Sequence, residues 1–278
     1  MSGIRKTKTV EIYCSAARMF ERFIEEKYTI LTVHPNILSD FVSEISRTLK
    51  PRSVHVFIYG VKQYIKWMRQ SGYGIQELYT PQLPRIKTSI PLILEEGALI
   101  AYLETCKTVV EPYSSAMRLL GVSTLRIGEL CRLKLSDIDN TKYGVILTIS
   151  DEAKGGARRT PTPKQFKAIL QEYIMNYRGR VSDSVWLFPS KKDKSKHIDP
   201  KQIRVFFRQI RYKLGLTGFT PHTLRRTWLT IMHREGVDVI LLQKIAGHKN
   251  LATTSIYISP SEEDMFGAVN KAFMGGKK

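Results

Sequence analysis

A proline-rich stretch between two helical regions most constrains how this chain of 278 residues can fold. Residues 80–91, TPQLPRIKTSIP, contain three prolines and show little periodicity. Because proline cannot continue a helix or donate to a sheet ladder, no regular element is expected to run through this stretch. We therefore predict a first domain over residues 1–80, a linker over 81–91, a larger second domain over 92–262 and a C-terminal tail over 263–278.

The first domain shows helical periodicity throughout. Residues 8–27, residues 37–48 and a third segment that Ser53 could cap each place apolar side chains three or four positions apart, with polar residues between them. This spacing is typical of amphipathic helices. Since the same residues contain no convincing strand, the first domain is predicted to be small and all-helical.

The second domain is predicted to be mostly helical, with one small β-hairpin. Residues 144–150, GVILTIS, have strand composition, and residues 157–163 form a second short strand candidate, with Lys154 in the polar turn between them. Helices are predicted over 93–107, 112–121, 127–139 and 164–178, and throughout the final third of the chain. The predicted fold class is therefore mainly α.

A large excess of positive charge indicates an anionic partner. The chain has 44 Lys and Arg against 25 Asp and Glu, a formal net charge of +19. The excess is spread along the chain, with about +7 on residues 1–88 and about +12 on the remainder. Both predicted domains could therefore face one extended polyanion such as duplex DNA. On charge alone, an anionic membrane surface is another possible partner, and a solvated surface that aids solubility is the alternative to any anionic partner.

The sequence gives no sign of a disulfide framework, a zinc site or a membrane span. Its three cysteines, Cys14, Cys106 and Cys131, lie far apart, which suits a reducing cytoplasm. The first residues lack the apolar core of a signal peptide, and the most apolar segment is interrupted by Glu95 and Glu96. We therefore expect a cytoplasmic protein without a membrane partner, and no metal or other cofactor.

Residues 222–257 carry the candidate chemistry. Thr220 and Pro221 are typical of a helix start, so His222 and Arg225 should fall three apart on one face of its first turns. The free amides and partial positive charge of a helix N-terminus favour an anion, and a guanidinium can grip two phosphate oxygens. The pair predicts a phosphate site, with an ordinary exposed helix start as the alternative.

Two further stretches could complete such a site. Asp238 can cap a helix that Gly247 ends, which would place His248 in the loop just beyond it. Upstream, Arg126 lies where one predicted helix ends and another begins, and Glu129 follows three residues later, in a position to orient it.

In chain order, these motifs match a known family. They are LRIGE, KGG in the hairpin turn, HTLR, GH, and a tyrosine nine residues after that second histidine. From about residue 92 to 262, this order and spacing resemble the catalytic domain of the tyrosine recombinases, the phage-integrase and Xer type of site-specific DNA recombinase. Residues 1–80 resemble the family's helical core-binding domain more loosely. The resemblance implies the tyrosine recombinase fold and a role in DNA integration, excision or dimer resolution.

The resemblance also implies a role for each matched residue and for the tail. A tyrosine nucleophile would form a 3′-phosphotyrosyl bond without metal or ATP, on double-stranded DNA and within a tetramer on paired sites. The tail, residues 263–278, would dock into a neighbouring protomer, with packing on its own domain as the alternative. The implied roles are Arg126 and Arg225 gripping the scissile phosphate, Lys154 as general acid, His222 and His248 in support, Glu129 orienting the site from behind, and Tyr257 as nucleophile.

Two other functions fit part of this pattern. A type IB topoisomerase shares the arginines, the lysine and the tyrosine, and would relax supercoils without exchanging strands between sites. A basic DNA-binding protein that has lost catalysis would keep the charge alone. The compact motif spacing and the short helical first domain, with no arm-binding module expected before it, favour the recombinase.

Overall fold

The computed structural model describes residues 7–25, 33–86, 92–150, 157–180 and 183–248. Contacts divide the chain into two compact units, Met1–Ser89 and Ile90–Lys278. Among the described residues, no helix is both long and apolar enough to cross a membrane. The same residues hold no group of three or more His, Cys, Asp or Glu side chains placed to bind a metal ion.

The described part of the first unit is built from three helices, as the periodicity predicts. They are α1 (Thr7–Glu25), α2 (Ile37–Ser46) and α3 (Pro51–Gln70). Their apolar faces meet in one core, in which Phe20 packs edge-on against Phe41. The prediction that Ser53 caps α3 is wrong. Pro51 occupies the first helical position, where its missing N–H costs nothing, so Ser53 lies inside the first turn.

The second unit is mainly helical. Its helices are α4 (Glu96–Cys106), α5 (Tyr113–Gly121), α6 (Ile127–Cys131), α7 (Lys164–Asn176), α8 (Pro200–Lys213), α9 (Pro221–Arg234) and α10 (Val239–Ala246). A large core joins most of its elements, and a smaller cluster that includes Leu229, Leu242 and Ala246 packs α10 against α9. Helix α9 is anchored at two points of this unit. Thr227 Oγ1 accepts the Leu94 N–H at 3.0 Å, and the Trp228 indole N–H donates to the Gly121 carbonyl at 2.6 Å. Helix α9, which carries His222 in its first turn, is therefore fixed to the rest of this unit by two hydrogen bonds.

A three-stranded antiparallel sheet lies among these helices. Its strands are β1 (Ile138–Thr141), β2 (Gly144–Ile149) and β3 (Arg158–Pro161), in the order β1-β2-β3. Ile149 pairs with Arg158, so the predicted hairpin of β2 and β3 is confirmed. The turn that contains Lys154, residues 151–156, lies outside the described residues.

The predicted helix over 127–139 is wrong beyond Cys131. After α6 the chain makes a short 3-10 turn over Leu135–Asp137, in which the Asp137 carboxylate accepts the Lys134 N–H at 2.8 Å. Residues 138–141 then pair with β2 as strand β1. Pairing with a neighbouring strand outweighs the local preference of such a short segment.

Candidate functional site

The first turn of α9 presents two of the predicted site residues. Pro221 is at the first helical position, and Thr223 Oγ1 accepts the Thr220 N–H at 3.0 Å, which closes the helix start. His222 and Arg225 follow three residues apart, as predicted. Much of His222 is exposed, whereas Arg225 is only 1% exposed.

Arg126 and Glu129 form a closed unit at the start of α6. One Glu129 carboxylate oxygen accepts the Arg126 backbone N–H at 2.9 Å, and the other accepts the Arg126 Nη1 at 2.7 Å. The Glu129 side chain is 2% exposed, whereas Arg126 keeps 25% of its side chain exposed. The predicted orienting role of Glu129 thus has a direct geometric basis, and Arg126 is the more open of the two predicted phosphate-gripping arginines.

Helix α10 is built to end sharply beside these arginines. The Asp238 carboxylate accepts the N–H groups of Ile240 and Leu241 at its start, which confirms the predicted cap. At its end Gly247 adopts the left-handed conformation with φ 62°, as predicted, and the His248 N–H donates back to the Gln243 carbonyl at 3.1 Å. This turn, which ends the helix at a glycine, places the His248 side chain next to Arg225.

Three successive carbonyls at the end of α10 each accept from a different arginine. Their oxygens would otherwise lack intrahelical partners, and they lie at the partially negative end of the helix, which favours cations. The pairs are Ile245 with Arg158 Nε at 3.1 Å, Ala246 with Arg225 Nη2, and Gly247 with Arg126 Nη2 at 3.4 Å. The helix end and Glu129 together form one acceptor surface for three guanidiniums.

Arg225 is held inside this surface from several sides. Its Nη1 donates to the Thr124 carbonyl, and its Nη2 also lies 3.1 Å from His248 Nε2. Because a guanidinium has no acceptor, His248 Nε2 must be the accepting nitrogen. His248 is therefore the tautomer with its proton on Nδ1 when it is neutral.

Arg158 is a member of this site that the sequence reasoning missed. Its side chain is 6% exposed, and its Nη1 and Nη2 donate to the two Glu129 oxygens at 3.2 and 2.8 Å. The signal that could have revealed it is strand alternation. Arg158 and Thr160 lie on one face of β3, and Thr160 is buried, so Arg158 also points inward. We call Arg126, Arg158 and Arg225, gathered around Glu129, the arginine cluster.

The cluster fixes the charge states of its members. Burial alone would raise the pKa of Glu129, but hydrogen bonds from Arg158 and Arg126 outweigh it and lower that pKa to about 2. Burial and the neighbouring charges of Arg225 and Arg126 lower the pKa of His248 to about 4. The site therefore holds one carboxylate against three guanidiniums at neutral pH, a net positive charge.

His222 responds to the same field. Although the residue is partly exposed, withdrawal of the ring from water, together with the charges of Arg225, Arg226 and Arg126, lowers its pKa to about 4. His222 is thus neutral at pH 7. A neutral imidazole can still donate one hydrogen bond to an anionic oxygen.

The structure brings together four of the predicted site residues, Arg126, Glu129, Arg225 and His248, and places His222 one turn before Arg225 on the same helix. Lys154 and Tyr257 lie outside the described residues, as does the tail, 263–278. Their predicted roles stay predictions. What the described residues form is a positively charged cluster in which Arg126 is the more open guanidinium, an arrangement suited to a phosphate.

Known proteins share the sequence and the fold of this chain. Residues 95–264 match the family model described as the phage integrase family. The tyrosine recombinase XerA of Pyrococcus furiosus is 30% identical over 224 residues, which cover 80% of this chain and 74% of that protein. A tyrosine recombinase of Thermosipho africanus is 25% identical over 275 residues, 95% of this chain and 92% of that protein.

Solved structures show the same fold at lower identity. The XerH site-specific recombinase bound to a palindromic difH substrate, a post-cleavage complex, aligns with a TM-score of 0.75 and 18% identity over 94% of this chain and 78% of that one. A lambda integrase dimer bound to a COC′ core site aligns with a TM-score of 0.72 and 17% identity over 92% and 90% of the two chains.

Proposed function

The chain belongs to the phage integrase family and is a tyrosine recombinase, and from this premise we propose how its residues cleave and rejoin DNA at specific sites. The observation that carries the proposal is the convergence of Arg126, Arg225 and His248 on one helix end, with Glu129 behind them. These groups come from segments more than 90 residues apart in the sequence and serve one anion-binding pocket.

The pocket stabilises the charge that develops on a scissile phosphate. Arg126 offers the open guanidinium, and the buried Arg225, which donates to the same helix end, reaches the phosphate when the groups that enclose it make room. His222 and His248 add neutral donors. Fixed donors of this kind are each worth about 3–4 kcal/mol of transition-state stabilisation by analogy with oxyanion holes.

Two residues outside the described ranges complete the reaction in our proposal. The Tyr257 hydroxyl releases its proton to water as its oxygen attacks the phosphorus, and the bond from phosphorus to the 5′-oxygen breaks. Lys154 gives that oxygen its proton, a contribution of roughly 10²–10⁴-fold. A 5′-hydroxyl of the partner strand then reverses the step, so the bond energy is kept without ATP.

Double-stranded DNA is the proposed partner of both units. In the first unit, α3 carries a basic stripe formed by Lys62, Lys66 and Arg69, spaced so that they share one helix face. Lys62 donates to Thr80 Oγ1 at 2.9 Å, and Lys66 and Arg69 are exposed. All three line one groove with Thr80, which suits contacts to successive phosphates.

The remaining parts of the proposal concern organisation. We propose the domain limits 1–80 and 92–262 with the linker 81–91, assembly of four protomers on paired sites through the tail, 263–278, and action in the cytoplasm. The helical periodicity on either side of the proline-rich stretch supports the limits, and the apolar positions Phe266 and Phe273 support the role of the tail.

A covalent trapping experiment tests the proposed chemistry. The protein is incubated with a pool of nicked, random-sequence duplexes, and covalent complexes are isolated on a denaturing gel and their DNA sequenced. We expect one recurring sequence, and loss of the complex in Tyr257→Phe but not in Tyr143→Phe, a control at a tyrosine 87% exposed. Retention of the complex by Tyr257→Phe contradicts the nucleophile assignment.

The same material separates the other two functions. A topoisomerase relaxes plasmid that lacks the recovered sequence, and a non-catalytic binder forms no covalent complex. A recombinase requires two copies of the recovered sequence and yields exchanged strands.

A further inference from the structure

Arg158 is the least expected member of the arginine cluster. It lies at the first position of β3, and its backbone pairs with Ile149 on β2. Its guanidinium is nonetheless directed away from the sheet's own partners. It spans two other elements, α6 through Glu129 and the end of α10 through the Ile245 carbonyl.

All three nitrogens of Arg158 are used in this span. Nη1 and Nη2 form a two-pronged contact with the Glu129 carboxylate, and Nε donates to Ile245. Only arginine has donors in this rigid, planar arrangement, since lysine offers a single ammonium on a flexible stem. The contact is therefore directional as well as electrostatic.

The end of α10 rests directly on this guanidinium. A Cβ atom added to Gly247 would lie 2.8 Å from Arg158 Cδ and 2.9 Å from its Nη1, closer than real Cβ contacts. The next residue is His248, and the neighbouring carbonyls hold Arg225 and Arg126. Arg158 is thus in direct contact with the turn that carries this histidine and these carbonyls.

We propose that Arg158 is a positioning residue for the strand-cleavage reaction, fixing the end of α10 against Glu129 so that Arg126, Arg225 and His248 converge on one phosphate. It acts through these groups and does not touch DNA. This inference rests on the proposed function of the pocket.

The test compares two neighbouring arginines of one strand. Arg158→Gln and Arg158→Lys remove the directional contact, and Arg159→Gln is the matched control, because Arg159 faces outward, 60% exposed, against Asp139. Wild type and variants are assayed on the duplex recovered by covalent trapping, with DNA affinity and the rate of covalent complex formation at saturating DNA measured separately.

We expect both Arg158 variants to slow covalent complex formation about 10–100-fold, the usual loss when an orienting partner is removed, while DNA affinity changes less than about threefold. Arg159→Gln should keep the wild-type rate at saturating DNA. If Arg158→Gln fails to fold, the proposal is tested with Arg158→Lys alone, because lysine keeps the charge and the apolar stem. A wild-type rate in a folded Arg158→Lys protein overturns the proposal.

A second readout does not depend on activity. The His248 ring is titrated by NMR, with its signal assigned through His248→Gln. Its surroundings include Arg225, Arg126, Arg158, His222 and the Glu129 carboxylate. Because Arg158→Gln also removes a charge that acts on this ring, the charge-preserving Arg158→Lys is the variant compared: displacement of α10 in it should move the titration midpoint, whereas Arg159→Lys should not. An unmoved midpoint counts against positioning. If the wild-type protein itself forms no covalent complex, the proposed function fails, while this titration still tests the role of Arg158.

Discussion

The arginine cluster of the second unit and the basic stripe on α3 of the first unit carry the same sign of charge in opposite settings. In the cluster, the side chains of Arg225 and Arg158 are almost fully buried, and each donates hydrogen bonds to several acceptors. In the stripe, Lys66 and Arg69 extend into solvent. Buried, fixed charges are little screened by salt and lie in set positions, whereas exposed charges are strongly screened by salt but are accessible to phosphates from solvent. The first arrangement suits chemistry on one phosphate, and the second suits binding to many.

The largest effect should follow from removing the carboxylate that the cluster shares. Glu129→Gln leaves three guanidiniums facing one another without their buried counter-charge. We expect the free energy of unfolding to fall by about 3–5 kcal/mol, measured by urea denaturation. The control Glu44→Gln, in an exposed pair with Arg47, should cost less than about 0.5 kcal/mol. Equal losses in the two variants would mean that the cluster is no more tightly coupled than a surface pair.

The second effect concerns acid. The unfolded chain protonates His248 near pH 6.5, but the folded chain does so only near pH 4, because burial and the arginines disfavour the charged ring. The folded state should therefore be fully stabilised above about pH 6.5 and lose roughly 1–3 kcal/mol as pH falls to 4, with His222 acting in the same direction. Glu129, with its pKa near 2, stays ionised throughout.

Urea denaturation at a series of pH values measures this loss. His248→Gln should flatten the part of the curve between pH 6.5 and 4. An unchanged slope in that variant would show that the acid sensitivity arises elsewhere.

A third prediction compares two glycine substitutions, in order to separate the cost of backbone strain from the cost of crowding against Arg158. Gly236 and Gly247 both have positive φ, but an added Cβ meets nothing within 4 Å at Gly236 and meets Arg158 at Gly247. Gly236→Ala should cost about 1 kcal/mol from strain alone. Gly247→Ala should cost at least about 2 kcal/mol, because Arg158 must also shift. Thermal or urea unfolding measures both, and matching values would argue against the tight contact.

The smallest effect tests the stripe. Lys66→Gln should weaken DNA binding only a few-fold near 0.15 M salt, but lower the slope of log affinity against log salt by about one, as expected for one lost phosphate contact. Lys107→Gln is the control, since Glu104 already neutralises that lysine at 2.7 Å. A slope that Lys66→Gln leaves unchanged would remove the stripe from the DNA interface.

Local sequence signals predicted most helices and the geometry of α9 and α10. The Asp238 cap, the Gly247 end and the start at Pro221 are each decided by a few neighbouring residues, and all three are confirmed. Strand β1 and residue Arg158 were missed for a different reason. Each acquires its role from a partner distant in sequence, β2 for the strand and Glu129 with Ile245 for the arginine.

The candidate site also has one part that the sequence predicted and one part that it did not. The motif spacing identified Arg126, Glu129, Arg225 and His248 as one constellation, and the structure brings them together. The motif spacing could not show that the backbone carbonyls at the end of α10 are the acceptors that the three arginines share. Carbonyl groups are present at every residue, so only the fold distinguishes the three that are used.

The use of consecutive carbonyls constrains chain length in this region. Each helical residue turns the next carbonyl by about 100° and advances it by about 1.5 Å. One residue inserted into or deleted from α10, which has only eight, would therefore rotate the carbonyls of Ile245, Ala246 and Gly247 away from the three arginines together. A residue added to the exposed connection 191–196 would leave these contacts in place, whereas one added between Arg225 and His248 would not.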